Sequence, residues 1–186
     1  MSVFEIEPTS LTNGAFAAAW FDDEDCLWDE PSLHRADRLQ SDWIAPRLRL
    51  HRPEQGATPV LFNPNALAVS QGLRDELARH SELEFLPVYI ENHGTFFILH
   101  ATSTYDLPAG SSASVNSVSK NIVDVTSFPS EFDPTAAFFV VKQPPESASG
   151  RANGCLRCLF ANRLGAQSIL AFAHGYLTAK ELPRTR

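Results

Sequence analysis

Cys155 and Cys158 stand at the CxxC spacing that suits a pair of metal ligands or a redox couple. A structural zinc site takes four ligands, and the chain offers no second CxxC and no HxxxH. Cys26 and His174 would have to be recruited from far along the chain. A thioredoxin-like pair opens a helix after a strand near the start of a domain, whereas these cysteines fall in the last fifth of the sequence. The expectation is two ordinary, partly buried thiols, with no bound metal and no disulfide.

Other reactive side chains read as structural too. Ser70 sits between a strand-like and a helix-like run, as a nucleophile elbow does. Its surroundings, Ala68-Val69-Ser70-Gln71-Gly72, lack the GxSxG pattern, so Ser70 reads as a helix N-cap. Of the six histidines, none pairs with another at metal-ligand spacing. His100, inside an apolar run, reads as a hydrogen-bonded core residue. There is no GxGxxG and no Walker motif, so no nucleotide cofactor is expected. The carboxylates of Asp22, Asp23, Glu24 and Asp25 are close enough in sequence for acid–base work, but catalysis needs a fixed geometry that an acidic loop does not supply. Residue chemistry nominates no catalytic residue, no cofactor and no metal.

The elements that could position any site are densest between Pro59 and Thr102. Ala66–Val69 reads as a short strand and Gln71–His80 as a helix with Leu73, Leu77 and Ala78 on one stripe. Leu83–Ile90 and Thr95–Ala101 are apolar at odd and even positions alike, which predicts interior strands covered on both faces. Asn92-His93-Gly94 between them supplies residues that tolerate positive φ at a hairpin turn. Before this module, Ser2–Glu7 reads as an edge strand ended by Pro8. Ala15–Phe21 fits a helical turn and an extended segment equally well. Pro31–Trp43 repeats Leu33, Ala36, Leu39 and Trp43 at helical spacing, and Leu48 and Leu50 alternate with charged residues as in a half-buried strand. After it, residues 106–114 read as a small-residue loop. Asn121–Phe128 and Ala136–Lys142 read as strands and Gln143–Gly154 as an exposed loop. Cys155–Phe160 is an apolar strand-or-helix run, Asn162–Ser168 a short helix and Ile169–Ala173 a last strand, with a frayed tail from Thr178.

The chain has 186 residues, 44% of them apolar, and a net charge of −7. That length is enough for a real core in one domain. Its fold class is expected to be α+β, with a mixed, mainly antiparallel sheet and a few packed helices. The organisation expected is an acidic N-terminal segment (1–30) packed on an α+β domain (31–178), with a frayed tail (179–186). The first 30 residues hold eight acids and no Lys or Arg, leaving 14 acids against 15 bases for the remainder. Without clustered cations, nucleic acid is an unsuitable partner. No apolar run is long enough to cross a bilayer, and the acidic start lacks a signal-peptide pattern. With three cysteines, an odd number, a cytoplasmic location is expected. The run DDEDCLWDE (22–30) follows Trp20 and contains six acids around Trp28. It reads either as a solvated face or as a surface for a basic partner. On the second reading Trp20, Asp22, Asp23, Glu24, Asp25, Trp28, Asp29 and Glu30 form the partner-binding set, with the charges steering encounter and Trp28 as anchor.

Three stretches together, SDWIAPRLRL (41–50), LFNPNALAVSQGLRDEL (61–77) and EFLPVYIENHGTFFILHA (84–101), resemble a bacterial immunity-protein family of polymorphic-toxin clusters. The resemblance is carried by Trp43 and Pro46, the Ala68-Val69-Ser70 junction, Leu86-Pro87-Val88 and the hairpin Phe96-Phe97-Ile98-Leu99. It runs over roughly residues 40–175. Gln71 departs from the acidic residue expected there, and the acidic N-terminal segment has no counterpart. The resemblance implies a non-enzymatic protein of interbacterial competition that binds a cognate protein toxin and occludes it. It supplies no catalytic residues, and a homodimer is compatible with it. The rival classes are a non-catalytic adaptor of a secretion system and a small hydrolase using Cys158 or Ser70.

Overall fold

The computed structural model describes residues 2–9, 17–21, 33, 36–50, 57–63, 66–145, 155, 158–173 and 175–185. The architecture is α+β: two helices and strands arranged as a closed barrel and two further sheets. The barrel runs in the order β2 (Ala17–Phe21), β3 (Arg47–Leu50), β6 (Leu83–Ile90), β7 (Gly94–Ala101), β5 (Ala66–Val69), β4 (Val60–Asn63). A five-stranded sheet follows the order β13 (Leu177–Glu181), β1 (Phe4–Pro8), β12 (Leu159–Ala161), β11 (Phe138–Val141), β8 (Thr104–Tyr105). The third sheet is β14 (Arg184–Thr185), β10 (Ile122–Pro129), β9 (Ser112–Val115). Antiparallel pairings outnumber parallel ones. No helix among the described residues is long and apolar enough to cross a membrane.

The two-faced apolar pattern of β6 and β7 has a direct cause. They form a hairpin registered from Leu83↔Ala101 to Ile90↔Gly94, and each also pairs with another barrel strand. Side chains of a strand alternate between faces. Leu86, Val88, Ile90, Phe96 and Ile98 fill one core with Leu48, Leu50, Leu61 and Ala68. Leu83, Leu99 and Ala101 join a second core outside the barrel, under α1 (Gln71–Leu77) and α2 (Arg163–Phe172). The turn between the strands holds Asn92 at φ 62° and Gly94 at φ 84°, the left-handed values that Asn and Gly accept at least cost.

Ser70 is the N-cap of α1, its hydroxyl accepting from the Leu73 N–H. The helix ends at Leu77, short of His80, where the His80 N–H turns back to the Leu77 carbonyl. Leu73 and Leu77 are its buried residues. Leu77 is fully buried, and truncating it to alanine should cost about 2–5 kcal/mol in urea denaturation. An unchanged midpoint would remove Leu77 from the core.

Several expectations are corrected. Over residues 36–43 the chain forms a turn rather than the expected Pro31–Trp43 helix. The Glu84 carboxylate accepts from the Leu39 and Gln40 N–H groups (2.8 and 2.7 Å), and the Trp43 indole donates to the Pro87 carbonyl (2.7 Å). The helical-looking spacing of Leu33, Leu39 and Trp43 instead places them against the barrel core. Ile169–Ala173 is not a strand. It continues α2, which Asn162 caps by accepting from Leu164 and Gly165, and a short apolar run fits both helix and strand. β1 is central rather than an edge, because Lys180 lies opposite Glu5 and within 3.6 Å of its carboxylate, which lets an acidic strand be covered. The tail is not frayed: β13 pairs with β1, β14 pairs with β10, and Arg184 donates to the Pro129 and Phe132 carbonyls. Ser112, Ala113 and Ser114, expected as loop, pair with β10. Ala17–Phe21 is extended.

Candidate functional site

The β6–β7 ladder ends where the Thr102 N–H donates to the Glu82 carbonyl at 2.8 Å. Beyond that bond the chain leading to β6 turns away, while β8 continues alongside β11. The divergence opens a polar cleft of about 510 Å³, lined by Ser81, Glu82, Thr102–Tyr105, Thr135 and Ala136, with Arg38 at its side. Four consecutive backbone N–H groups are held at this place. Those of Thr135 and Ala136 donate to the Tyr105 hydroxyl (3.0 and 3.2 Å), and those of Ala137 and Phe138 to Glu82 Oε1 (2.8 and 3.2 Å). Burial alone would raise the Tyr105 pKa. Its bonds from Thr135 and Ala136 outweigh that and leave it below the ordinary phenol value. Arg38 donates to the Ser81 carbonyl at 3.2 Å. Among the described residues the cleft thus offers hydroxyls, the Glu82 carboxylate and the Arg38 guanidinium.

A second cluster lies just beneath it. Ser168 Oγ stands 3.0 Å from His80 Nε2 and 3.0 Å from the Leu164 carbonyl, and it accepts from Arg79 at 2.9 Å. Glu82 Oε1 is 3.9 Å from His80 Nδ1. The order Ser168, His80, Glu82 is that of a nucleophile, a base and an orienting acid. The geometry does not carry the chemistry. Glu82 is beyond hydrogen-bond reach of the imidazole and is committed to two backbone amides. Ser168 and His80 are 2% and 6% exposed, and the Arg79 guanidinium occupies the hydroxyl while lying over Phe172. What the cluster does is tie the end of α1 to α2.

His80 and His100 give the protein an expected acid sensitivity. Burial pushes both imidazoles below the ordinary histidine value, against the opposing pull of Glu82 on His80. For His100 the opposing terms are its bond with the Asp37 carbonyl (3.0 Å) and the nearby Glu84. With folded pKa values below the unfolded value of about 6.5, the unfolded chain binds more protons as the pH falls. Stability should therefore be full well above pH 6.5 and fall as the pH drops through about 6.5 towards the lower folded pKa values, with a slope of at most about 1.4 kcal/mol per pH unit for each histidine. Glu5, raised chiefly by burial, acts in the opposite sense at lower pH. Urea midpoints across the window should drop, and less so in His100→Gln. A flat profile would contradict the burial of neutral imidazoles.

The two thiols are held in the protonated form. Burial pushes the Cys155 and Cys158 thiols up to about 11 and about 12, the latter with the help of the Glu5 charge. Among the described residues no group of three or more His, Cys, Asp or Glu side chains could hold a metal ion. Of the residues expected to bind a partner, Trp20 occupies the β2 position opposite Arg49. Asp22, Asp23, Glu24, Asp25, Trp28, Asp29 and Glu30 lie outside the described residues. The cleft was missed in the sequence because its walls come from three separate segments and carry no motif. No protein-family model matches the chain, and no curated protein matches it.

Proposed function

We propose that this chain is an immunity protein, acting in the cytoplasm of the producing cell to bind a cognate antibacterial toxin and block it without catalysis. The resemblance, which runs over roughly residues 40–175, motivates this reading. The observation that carries it is an exposed patch of interface character on the barrel's outer wall. Tyr89 is 46% exposed with the Arg47 guanidinium over its ring at 5.9 Å, and Ile44, 88% exposed, lies in the segment that Trp43 and Pro46 fasten to β6. Tyrosine and arginine are over-represented among residues that dominate binding energy. The acidic run at 22–30 adds a field that steers a basic partner.

The test is growth rescue with a toxin domain encoded beside this chain. Co-expression should restore growth. Asn and Gln replacements at Asp22, Asp23, Glu24 and Asp25 should slow association, and Trp28→Ala should speed dissociation. An adaptor of a secretion apparatus would bind without rescue, and that outcome would overturn the reading.

A further inference from the structure

Beside the cleft, β8 is the edge of its sheet among the described residues. In the parallel ladder between β8 and β11, the Val140 N–H donates to the Ser103 carbonyl and the Lys142 N–H to the Tyr105 carbonyl (both 3.0 Å). Alternation then turns the N–H and C=O of Thr104 to the opposite edge. One residue pair earlier that edge is closed by Glu82, through the bond from Thr102. At Thr104 no described strand follows, and Thr104 lines the cleft together with Ser81 and Glu82. An open strand edge is a template for another extended chain.

The side chains around this edge select the kind of chain. Six of the nine lining residues are threonine, serine or tyrosine, at 81, 102–105 and 135, which suits a polar segment. Glu82 spends Oε1 on the Ala137 and Phe138 amides. Arg38 spends one N–H on the Ser81 carbonyl, and a guanidinium has five. Arg38 is the cation among the lining residues, and so the group that an acidic side chain would pair with. We infer that the cleft is a peptide site, in which an extended polar segment of a partner protein adds to the β8 edge through Thr104 and places an acidic side chain on Arg38. Strand addition of this kind takes its affinity from main-chain bonds and its specificity from neighbouring side chains. The inference rests on the reading of this chain as a protein-binding module and adds the class of segment that it captures.

The experiment uses the full chain and a phage-displayed random heptapeptide library, followed by amide chemical-shift mapping with a synthetic copy of the selected peptide. Peptides with an acidic residue should be enriched, and shifts should concentrate at 81–82, 102–105 and 135–136. Thr104→Pro, which removes the outward N–H without breaking a bond of the fold, should weaken the peptide at least tenfold. Thr104→Ala should change it less than threefold, and Arg38→Gln should erase the preference for acidic peptides. No enrichment, shifts elsewhere, or equal binding by a folded Thr104→Pro would overturn the site. Should Thr104→Pro fail to fold, the shift map and Arg38→Gln decide the matter. Growth rescue that survives in Thr104→Pro overturns the peptide site and leaves the immunity reading standing, whereas absence of rescue by the unaltered chain overturns that reading independently.

Discussion

Gly165→Ala should unfold this protein at a much lower urea concentration, although alanine is the better helix former. A Cβ built at Gly165 lies 2.2 Å from the Ala137 carbonyl oxygen and 2.9 Å from its carbon, with the Ala161 Cβ at 3.0 Å. The obstacle is backbone that cannot swing aside. The Ala137 carbonyl accepts from the Asn162 N–H at 3.0 Å, and the Ala137 N–H donates to Glu82 at 2.8 Å. Asn162 is also the cap of α2. Relief requires α2 to lift from β11 and β12, which would uncover Ala166 and Ile169. Overpacking costs about 1–3 kcal/mol and occasionally more, against about 1 kcal/mol gained from helix propensity. With a carbonyl as the obstacle the cost falls at the upper end, and the net loss should be about 2 kcal/mol. A raised or unchanged midpoint would mean that α2 does not sit this close to β11.

Phe160→Ala should be more severe, for a different reason. Phe160 is fully buried in β12, stacked on Phe139 at 5.7 Å and edge-on to Phe128 at 5.6 Å. These rings and Phe132 form the centre of the core between the five-stranded and three-stranded sheets. Truncation deletes the ring and leaves a cavity that two strands hold open, a cost of about 3–5 kcal/mol. A double-mutant cycle with Phe139→Ala should show coupling of about 0.5–1.5 kcal/mol from the stacked pair. Simple additivity would argue against direct contact of the rings.

Local signals in the sequence were informative where the cause is local. Ser70 as a cap, Asn92-His93-Gly94 as a turn and the half-buried alternation of β3 depend on a few neighbouring residues, and each appears in the structure. The two-faced pattern of β6 and β7 announced burial on both sides, but not that one side is a barrel interior. Barrel closure depends on β2 pairing in parallel with β4 and β3 with β6, contacts between segments about 40 residues apart that periodicity cannot register. The spacing of Leu33, Leu39 and Trp43 misled because apolar residues three or four apart also suit a turn strapped across a core. Glu84, 44 and 45 positions away in sequence, takes the N–H groups a helix would have used. The same distance problem hides the interior cluster and the cleft. His80 and Ser168 are 88 positions apart, and Tyr105 meets Thr135 across 30.

The central claim is neutralisation by binding, and titration of a purified toxin domain with the purified chain tests it most directly. Toxin activity should fall in proportion to the amount of chain added and vanish at one equivalent, with no dependence on incubation time once association is complete. Loss of activity at a small fraction of an equivalent, growing with time, would instead reveal a catalyst and contradict the account, as would full activity at excess.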